Sequence, residues 1–109
     1  MAQPQLQPEK RDIRRLPLNL PIVVRNLDGG SGELRGVTRD VSSRGAFVYL
    51  QSDANEGAHI EFLMTLPTEI TLAEPIHVLC SGRVVRVEQS ASRPGIAVAI
   101  ETYNFVEEN

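Results

Sequence analysis

The sequence predicts an all-β protein, a small antiparallel barrel or sandwich. Six short runs are rich in strand-forming residues, and turn residues, glycine and proline above all, separate most of them. No segment between the runs shows a convincing helical period. With 109 residues the chain has the size of one ordinary domain. These observations together favour a single domain built from one strand system.

The first three strands are predicted between residues 22 and 51. Two prolines within residues 16–21 disfavour a helix there, so residues 22–27 form the first strand after an extended segment. Residues 28–32 (DGGSG) supply the glycines of a hairpin turn, which leads into a second strand over residues 33–41. Residues 45–51 form the third.

The last three strands are predicted over residues 60–66, 76–88 and 95–103. Pro67 ends the fourth strand and Pro75 precedes the fifth. Gly82 interrupts the alternation of the fifth strand, which predicts a bulge or bend that curls the sheet. We therefore expect the ordered domain to span residues 10–104, with short tails at 1–9 and 105–109.

The chain carries no predicted membrane segment or secretory signal. No apolar run approaches about 18 residues, and the first ten residues lack an apolar core. Residues 1–8 are polar and contain two prolines and three glutamines, which predicts a mobile tail. We expect a cytoplasmic protein.

The charges are distributed unevenly along the chain. Eight basic and five acidic residues precede position 46, whereas three basic and nine acidic residues follow. A basic N-terminal half favours a small anionic ligand over extended duplex DNA, which rewards a broad basic face. Some of these arginines are equally consistent with solvated positions on strand edges, namely Arg25, Arg35 and Arg39.

Two short motifs lie in the basic half. Arg11 and Arg15 form an RxxxR pattern, and Asp40, Ser42 and Gly45 form a DxSxxG pattern. An arginine fork matches the O6 and N7 acceptors of guanine, and an aspartate accepts hydrogen bonds from its N1–H and N2–H. The motifs therefore predict a site for guanine and phosphate. Alternatively, Asp40 and Ser42 cap a turn, Gly45 is selected for its dihedral angles, and the arginines form a solvated arm.

Enzymatic chemistry is weakly supported. His59 and His77 lack partners at zinc-ligand spacing, so no metal site is predicted. Ser42 and Ser43 have no accompanying histidine for a hydrolytic triad. The single Cys80 lies in an apolar β-rich stretch and is expected to be buried.

The joint pattern resembles the PilZ domain family, bacterial receptor modules for the second messenger cyclic di-GMP. The resemblance covers about residues 10–103 and includes L-P-L-N-L-P-I-V-V, G-R-V-V-R-V and P-G-I-A-V-A-I in the same order. It implies a six-stranded antiparallel β-barrel with a mobile N-terminal arm. Family members often carry a C-terminal helix, but only residues 104–109 remain here, so little or no helix is expected.

The resemblance also implies the site. Arg11 and Arg15 would clamp cyclic di-GMP, often bound as a self-intercalated dimer, and Asp40 would accept from a guanine edge. Ser42 would add a hydroxyl hydrogen bond and Gly45 a close backbone approach. Two further arginines would help through the phosphates, namely Arg14 and Arg44. No other cofactor is expected.

Three functional classes follow. The first is a non-enzymatic receptor whose arm orders on the ligand and signals to a separate protein partner. The second is a scaffold that binds no ligand and acts through protein contacts. The third, a nucleic-acid-binding barrel, lacks an aromatic stacking platform, since the chain has no tryptophan and five Phe and Tyr residues in all.

Overall fold

Six antiparallel strands close into one barrel in this computed structural model, which describes residues 14–30, 33–51, 54–89 and 93–106. The strands are neighbours in the order β1-β2-β3-β6-β5-β4. Their bounds are β1 Pro21–Leu27, β2 Leu34–Val41, β3 Gly45–Tyr49, β4 His59–Leu66, β5 Ile76–Glu88 and β6 Gly95–Val106. The predicted six-stranded antiparallel barrel is confirmed. The predicted tail at residues 1–9 and the predicted mobile arm as far as residue 13 lie outside the described residues.

The barrel interior holds the hydrophobic core. Alternate residues along each strand point inward, as in Ile22 and Val24 of β1 and Ile60 and Phe62 of β4, and each of these four is at most 1% exposed. Burial of such side chains is the main favourable contribution to stability. The core is continuous around the barrel and includes residues of every strand.

Two elements differ from the sequence pattern. A one-turn helix, α1 (Thr68–Thr71), lies in the predicted loop and ends at Leu72, whose positive φ of 61° is a left-handed cap. The sixth strand was expected to end at Tyr103 but continues to Val106, because Phe105 and Val106 pair with Val78 and His77 of β5. Strand β6 is therefore three residues longer at its C-terminal end than predicted.

The predicted irregularity at Gly82 is present. The pairing of β5 with β6 shifts between Ser81 and Gly82, where Glu101 is the extra residue on β6. A Cβ on Gly82 would lie 1.9 Å from the carbonyl oxygen of Ala99, so no larger residue fits between the two backbones here. The glycine thus permits the close approach at which the sheet curves.

The segment before β1 is attached to the end of β2. Leu16 and Val41 exchange two backbone hydrogen bonds, with N–O distances of 2.8 and 3.0 Å. Thr38, which is fully buried, accepts a hydrogen bond from the Leu20 N–H at 2.8 Å and donates one to the Leu18 carbonyl at 2.6 Å. These contacts fix the chain beside β2, directly after Arg15.

Candidate functional site

A β-bulge in β2 positions two polar side chains at one point of the barrel surface. Thr38 pairs with Val48 and Asp40 pairs with Phe47, which leaves Arg39 as the extra residue. A bulge increases the local twist and changes the direction of the side chains around it. Arg39 and Asp40 consequently lie close enough for their side chains to bond each other.

Asp40 is held by two arginines. Arg15 contacts Oδ1 through Nε at 2.9 Å and through Nη2 at 2.6 Å, while Arg39 donates from Nε to Oδ2 at 2.8 Å. The Asp40 side chain is only 14% exposed. One residue of the RxxxR motif is therefore bonded directly to one residue of the DxSxxG motif, 25 positions away.

The two ion pairs determine how Asp40 and Arg39 titrate. Burial acts to raise the pKa of Asp40, but the hydrogen bonds from Arg39 and Arg15 outweigh it, so that this pKa lies below its ordinary value. The hydrogen bond to Asp40 raises the pKa of Arg39. Both groups therefore carry full charge at neutral pH.

Two further arginine contacts cover the aromatic residues of β3. The guanidinium carbon of Arg39 lies 4.0 Å from the ring centre of Phe47, and that of Arg93 lies 4.0 Å from the ring centre of Tyr49. The two rings meet edge to face with their centres 5.6 Å apart. Phe47 is 2% exposed although it lies outside the barrel core, so Arg39 helps to shield it from water.

The turn between β2 and β3 is built by Ser42. Its Oγ accepts hydrogen bonds from the backbone N–H groups of Arg44 and Gly45, at 3.2 and 3.1 Å, and its own N–H donates to the Gly45 carbonyl at 2.8 Å. A Cβ on Gly45 would lie 2.7 Å from the carbonyl oxygen of Val98 in β6. Gly45 is thus required by the packing of β3 against β6.

A surface cleft of about 480 Å³ lies above these strands. Its walls come from the segment before β1, β2, the β2–β3 turn, β3, β5 and β6, and its residues are Arg15, Arg39, Ser42, Arg44, Gly45, Ala46, Val85, Arg86, Ala97, Val98 and Ala99. Four of these residues are arginines, and three are alanines. The volume falls within the range of small-molecule sites, about 300–1,000 Å³.

The cleft brings together four of the seven residues that the sequence indicated. Arg15, Ser42, Arg44 and Gly45 line it, whereas Asp40 lies behind Arg15 and Arg39 and holds both. Arg14 is exposed and does not line the cleft. Arg11 lies outside the described residues.

Sequence reasoning missed Arg39 and Arg86. Arg86 lines the cleft from β5 next to a second bulge, at Val85, and its Nη2 contacts Glu88 at 3.0 Å. Neither arginine belongs to the RxxxR or DxSxxG motif, although Arg86 lies in the G-R-V-V-R-V segment that the resemblance includes. A signal for Arg39 exists in hindsight, because it directly precedes the motif aspartate.

Other candidate chemistry does not assemble in the part of the chain that the structure describes. No three His, Cys, Asp or Glu side chains there form a group that could hold a metal ion. No helix among these residues is long and apolar enough to cross a membrane. Burial raises the pKa of Cys80 to about 11, so its thiol stays protonated at neutral pH.

A closed six-stranded barrel with an arginine-lined surface cleft defines the class of this protein as a small β-barrel module with a cationic face. The PilZ domain model matches residues 9–108, and the chain therefore belongs to the PilZ domain family. This is a family of cyclic di-GMP receptors, and its domains are binding and regulatory modules.

A solved structure supports the fold independently. The PilZ domain of CeSA from a cellulose-synthesizing bacterium is 24% identical in sequence and superposes with a TM-score of 0.53. The match covers 82% of this chain and 83% of that chain. The search of curated proteins gave no match. At this identity the likeness shows the common barrel.

Proposed function

We propose that the protein binds cyclic di-GMP in the arginine-lined cleft and relays the signal to a separate protein. One observation carries the proposal above the others: Arg15 of the first motif contacts Asp40 of the second, beside a cleft of suitable volume. The two motifs lie 25 residues apart in the chain and meet in space, as expected if they form one site.

The charge of the cleft fits a dianion. Four arginines line it, and two carboxylates, Asp40 and Glu88, pair with three of them, so four minus two leaves a net charge of +2. Cyclic di-GMP carries two phosphodiester charges. Arginine suits this ligand better than lysine because its planar group bonds a phosphate or a guanine edge bidentately and also stacks on a purine.

Binding would require an exchange of partners at Asp40. A guanine edge donates from both N1–H and N2–H, but Arg15 and Arg39 already occupy both carboxylate oxygens. We expect Arg15 to leave Asp40 for a phosphate or the Hoogsteen edge, while Arg39 keeps the carboxylate oriented. The oxygen freed by Arg15 then accepts from the guanine.

The remaining motif residues have separate roles. The Oγ of Ser42 already accepts two backbone hydrogen bonds and donates a long one, of 3.4 Å, to the Gly45 carbonyl, so its hydroxyl would turn from that carbonyl to donate to the ligand. Arg44 would contact a phosphate from the turn, and Arg11 and Arg14 would close over the ligand from the N-terminal arm. Because Gly45 has no side chain, the ligand could approach the backbone of the turn closely.

The output would be a combined surface of ordered arm and ligand that a second protein recognises. This role needs no catalytic group, and we expect none. The second candidate is a scaffold that binds no cyclic di-GMP. The ion pairs at Asp40 favour this scaffold, because Arg15 and Arg39 already provide hydrogen bonds to both oxygens of the carboxylate without a ligand.

Isothermal titration of the full chain with cyclic di-GMP tests the proposal. The wild type should bind at micromolar or tighter affinity, with a stoichiometry that gives one or two ligands per chain, and GTP should not replace the ligand. Arg15→Ala should abolish binding, whereas Arg25→Ala, an exposed arginine on β1 outside the cleft, should leave it unchanged. A folded wild type without any heat of binding at several temperatures would support the scaffold instead.

A further inference from the structure

Strand β6 continues beyond the end of its neighbour β3. The first residue of β3, Gly45, pairs with Ala99, and the last contact on this side is the hydrogen bond from the Ile100 N–H to the Arg44 carbonyl at 2.8 Å. Residues 102–106 pair with β5 alone among the strands that the structure describes. One edge of this five-residue segment is therefore open, at the position that a longer β3 would occupy.

The inner face of this segment is also uncovered. Tyr103 lies opposite Cys80 and Phe105 opposite Val78, and residues directly opposite in an antiparallel pair share one face. Cys80 and Val78 belong to the core, at 1% and 6% exposure. Tyr103 and Phe105 are nevertheless 51% and 70% exposed. A face that is buried elsewhere in the barrel is thus open to solvent at this end.

The open face forms one wall of an apolar groove of about 180 Å³. Met64 and Leu66 of β4 also line the groove, as do Ser42 and Ser43 of the β2–β3 turn. A chain lying along the open edge of β6 would lie next to this groove. Its alternate side chains would enter the groove and cover both aromatic rings.

The edge lacks the features with which proteins block strand addition. Residues 102–106 (TYNFV) contain no charged residue and no proline. The bulge at Glu101 precedes the open segment and does not interrupt it. The backbone groups along this edge can therefore pair with another strand.

The charges at this end indicate what kind of chain fits. Glu69 and Glu74 are exposed in the connection between β4 and β5, and Glu74 lies three residues before His77, the partner of Val106. Residues 64–79 contain no lysine or arginine. Two copies of this protein related by a two-fold axis would pair their edges antiparallel, which directs this acidic end of each copy toward Glu101 of the other, whereas the basic end of a partner segment would be attracted.

We propose that the open edge of β6 binds an extended segment of a partner protein as an added strand. The segment has apolar residues at alternate positions and a lysine or arginine at the end that reaches Val106. Five paired residues correspond to about 17 Å of strand. This surface goes beyond cyclic di-GMP binding, and it rests on the strand edge rather than on the ligand.

Selection from a random dodecapeptide phage library on the immobilised full chain, without cyclic di-GMP, tests the proposal. The enriched clones are then tested on Phe105→Glu, and Leu72→Glu serves as the matched control, because Leu72 is 86% exposed at the same end but lies outside the edge and the groove. We expect enriched peptides with alternating apolar residues and a basic end. Their affinity should fall at least tenfold in Phe105→Glu and stay within twofold in Leu72→Glu.

Amide hydrogen exchange then locates the contact. In residues 102–106, the amides that point away from β5 should exchange fast in the free chain and become protected when the selected peptide is added. Protection that grows with protein concentration would show a second copy on the edge, and protection in the dilute free chain would show a segment of the same chain there. Either result, or the absence of enriched peptides, would overturn the proposal.

Discussion

Arg39 joins the candidate ligand site to the outer surface of the barrel through Phe47. Its Nε bonds Asp40 at 2.8 Å while its guanidinium carbon lies 4.0 Å from the centre of the Phe47 ring. One side chain therefore orients the motif carboxylate and shields an aromatic ring that is 2% exposed. The planar guanidinium makes both contacts at once, which the lysine ammonium does not.

Arg39→Ala should weaken cyclic di-GMP binding about tenfold and lower the free energy of unfolding by about 1 kcal/mol, since Asp40 loses one partner and Phe47 its cover. Arg39→Lys should restore part of the stability but less of the affinity, because lysine retains the charge without the planar contact. Titration calorimetry and urea unfolding of the three proteins measure both quantities. Equal affinities in all three would show that Arg39 does not position Asp40.

Asp40→Asn should make the stability less dependent on pH. The pKa of Asp40 is lower in the folded protein than the value of about 3.9 in an unfolded chain, so its ion pairs stabilise the fold above that pH. This stabilisation is lost as the pH falls through the folded-state pKa. Urea unfolding at pH 7 should show the wild type about 1–2 kcal/mol more stable than Asp40→Asn, and the difference should shrink as the pH falls below about 4. A difference that stays constant with pH would assign the effect to packing.

Gly45→Ala should destabilise the protein in the absence of any ligand. The new Cβ would lie 2.7 Å from the Val98 carbonyl oxygen, so β3 or β6 has to move, at a cost of about 1–3 kcal/mol. Ser43→Ala in the same turn, at an exposed position, is the control and should change stability by less than about 0.5 kcal/mol. If Gly45→Ala unfolds at the same temperature as the wild type, packing against β6 does not require the glycine. Close approach of the ligand would then be the remaining reason for it.

Cys80 should not react with Ellman's reagent at pH 8 while the protein is folded. The thiol is 1% exposed and burial raises its pKa to about 11, so the reactive thiolate is both scarce and inaccessible. In 8 M urea one thiol per chain should react within minutes. Fast reaction of the native protein would mean that the barrel opens readily beside the groove lined by Tyr103 and Phe105.

The sequence predicted the strands better than it predicted their ends. Strand alternation and turn residues identify all six strands, because those signals are local. The continuation of β6 to Val106 depends on pairing with β5, which the pattern around Asn104 does not reveal. The closed barrel was predicted from the family resemblance, since the spacing of the strands alone is compatible with either a barrel or a sandwich.

The sequence predicted those residues of the candidate site that belong to the two motifs or lie next to a motif residue. Arg15, Ser42, Arg44 and Gly45 meet in one cleft as the patterns suggested. Arg39 and Arg86 were missed because their contribution depends on two bulges, and a bulge is a property of strand pairing rather than of a short stretch of sequence. The roles in ligand binding remain predictions for all of them.

The backbone bridge between Leu16 and Val41 makes the two arginines of the first motif unequal. Arg15 is one residue from a point fixed by two hydrogen bonds, so the barrel itself determines its position whatever precedes it. Arg11 is five residues from the same anchor in the sequence, so we expect that bringing it to a ligand would cost more chain entropy. The barrel thus supplies Arg15, and the N-terminal arm would supply Arg11. A chain shortened to begin at Arg14 would retain the Arg15–Asp40 pair, and what it loses in affinity would measure the contribution of the arm alone.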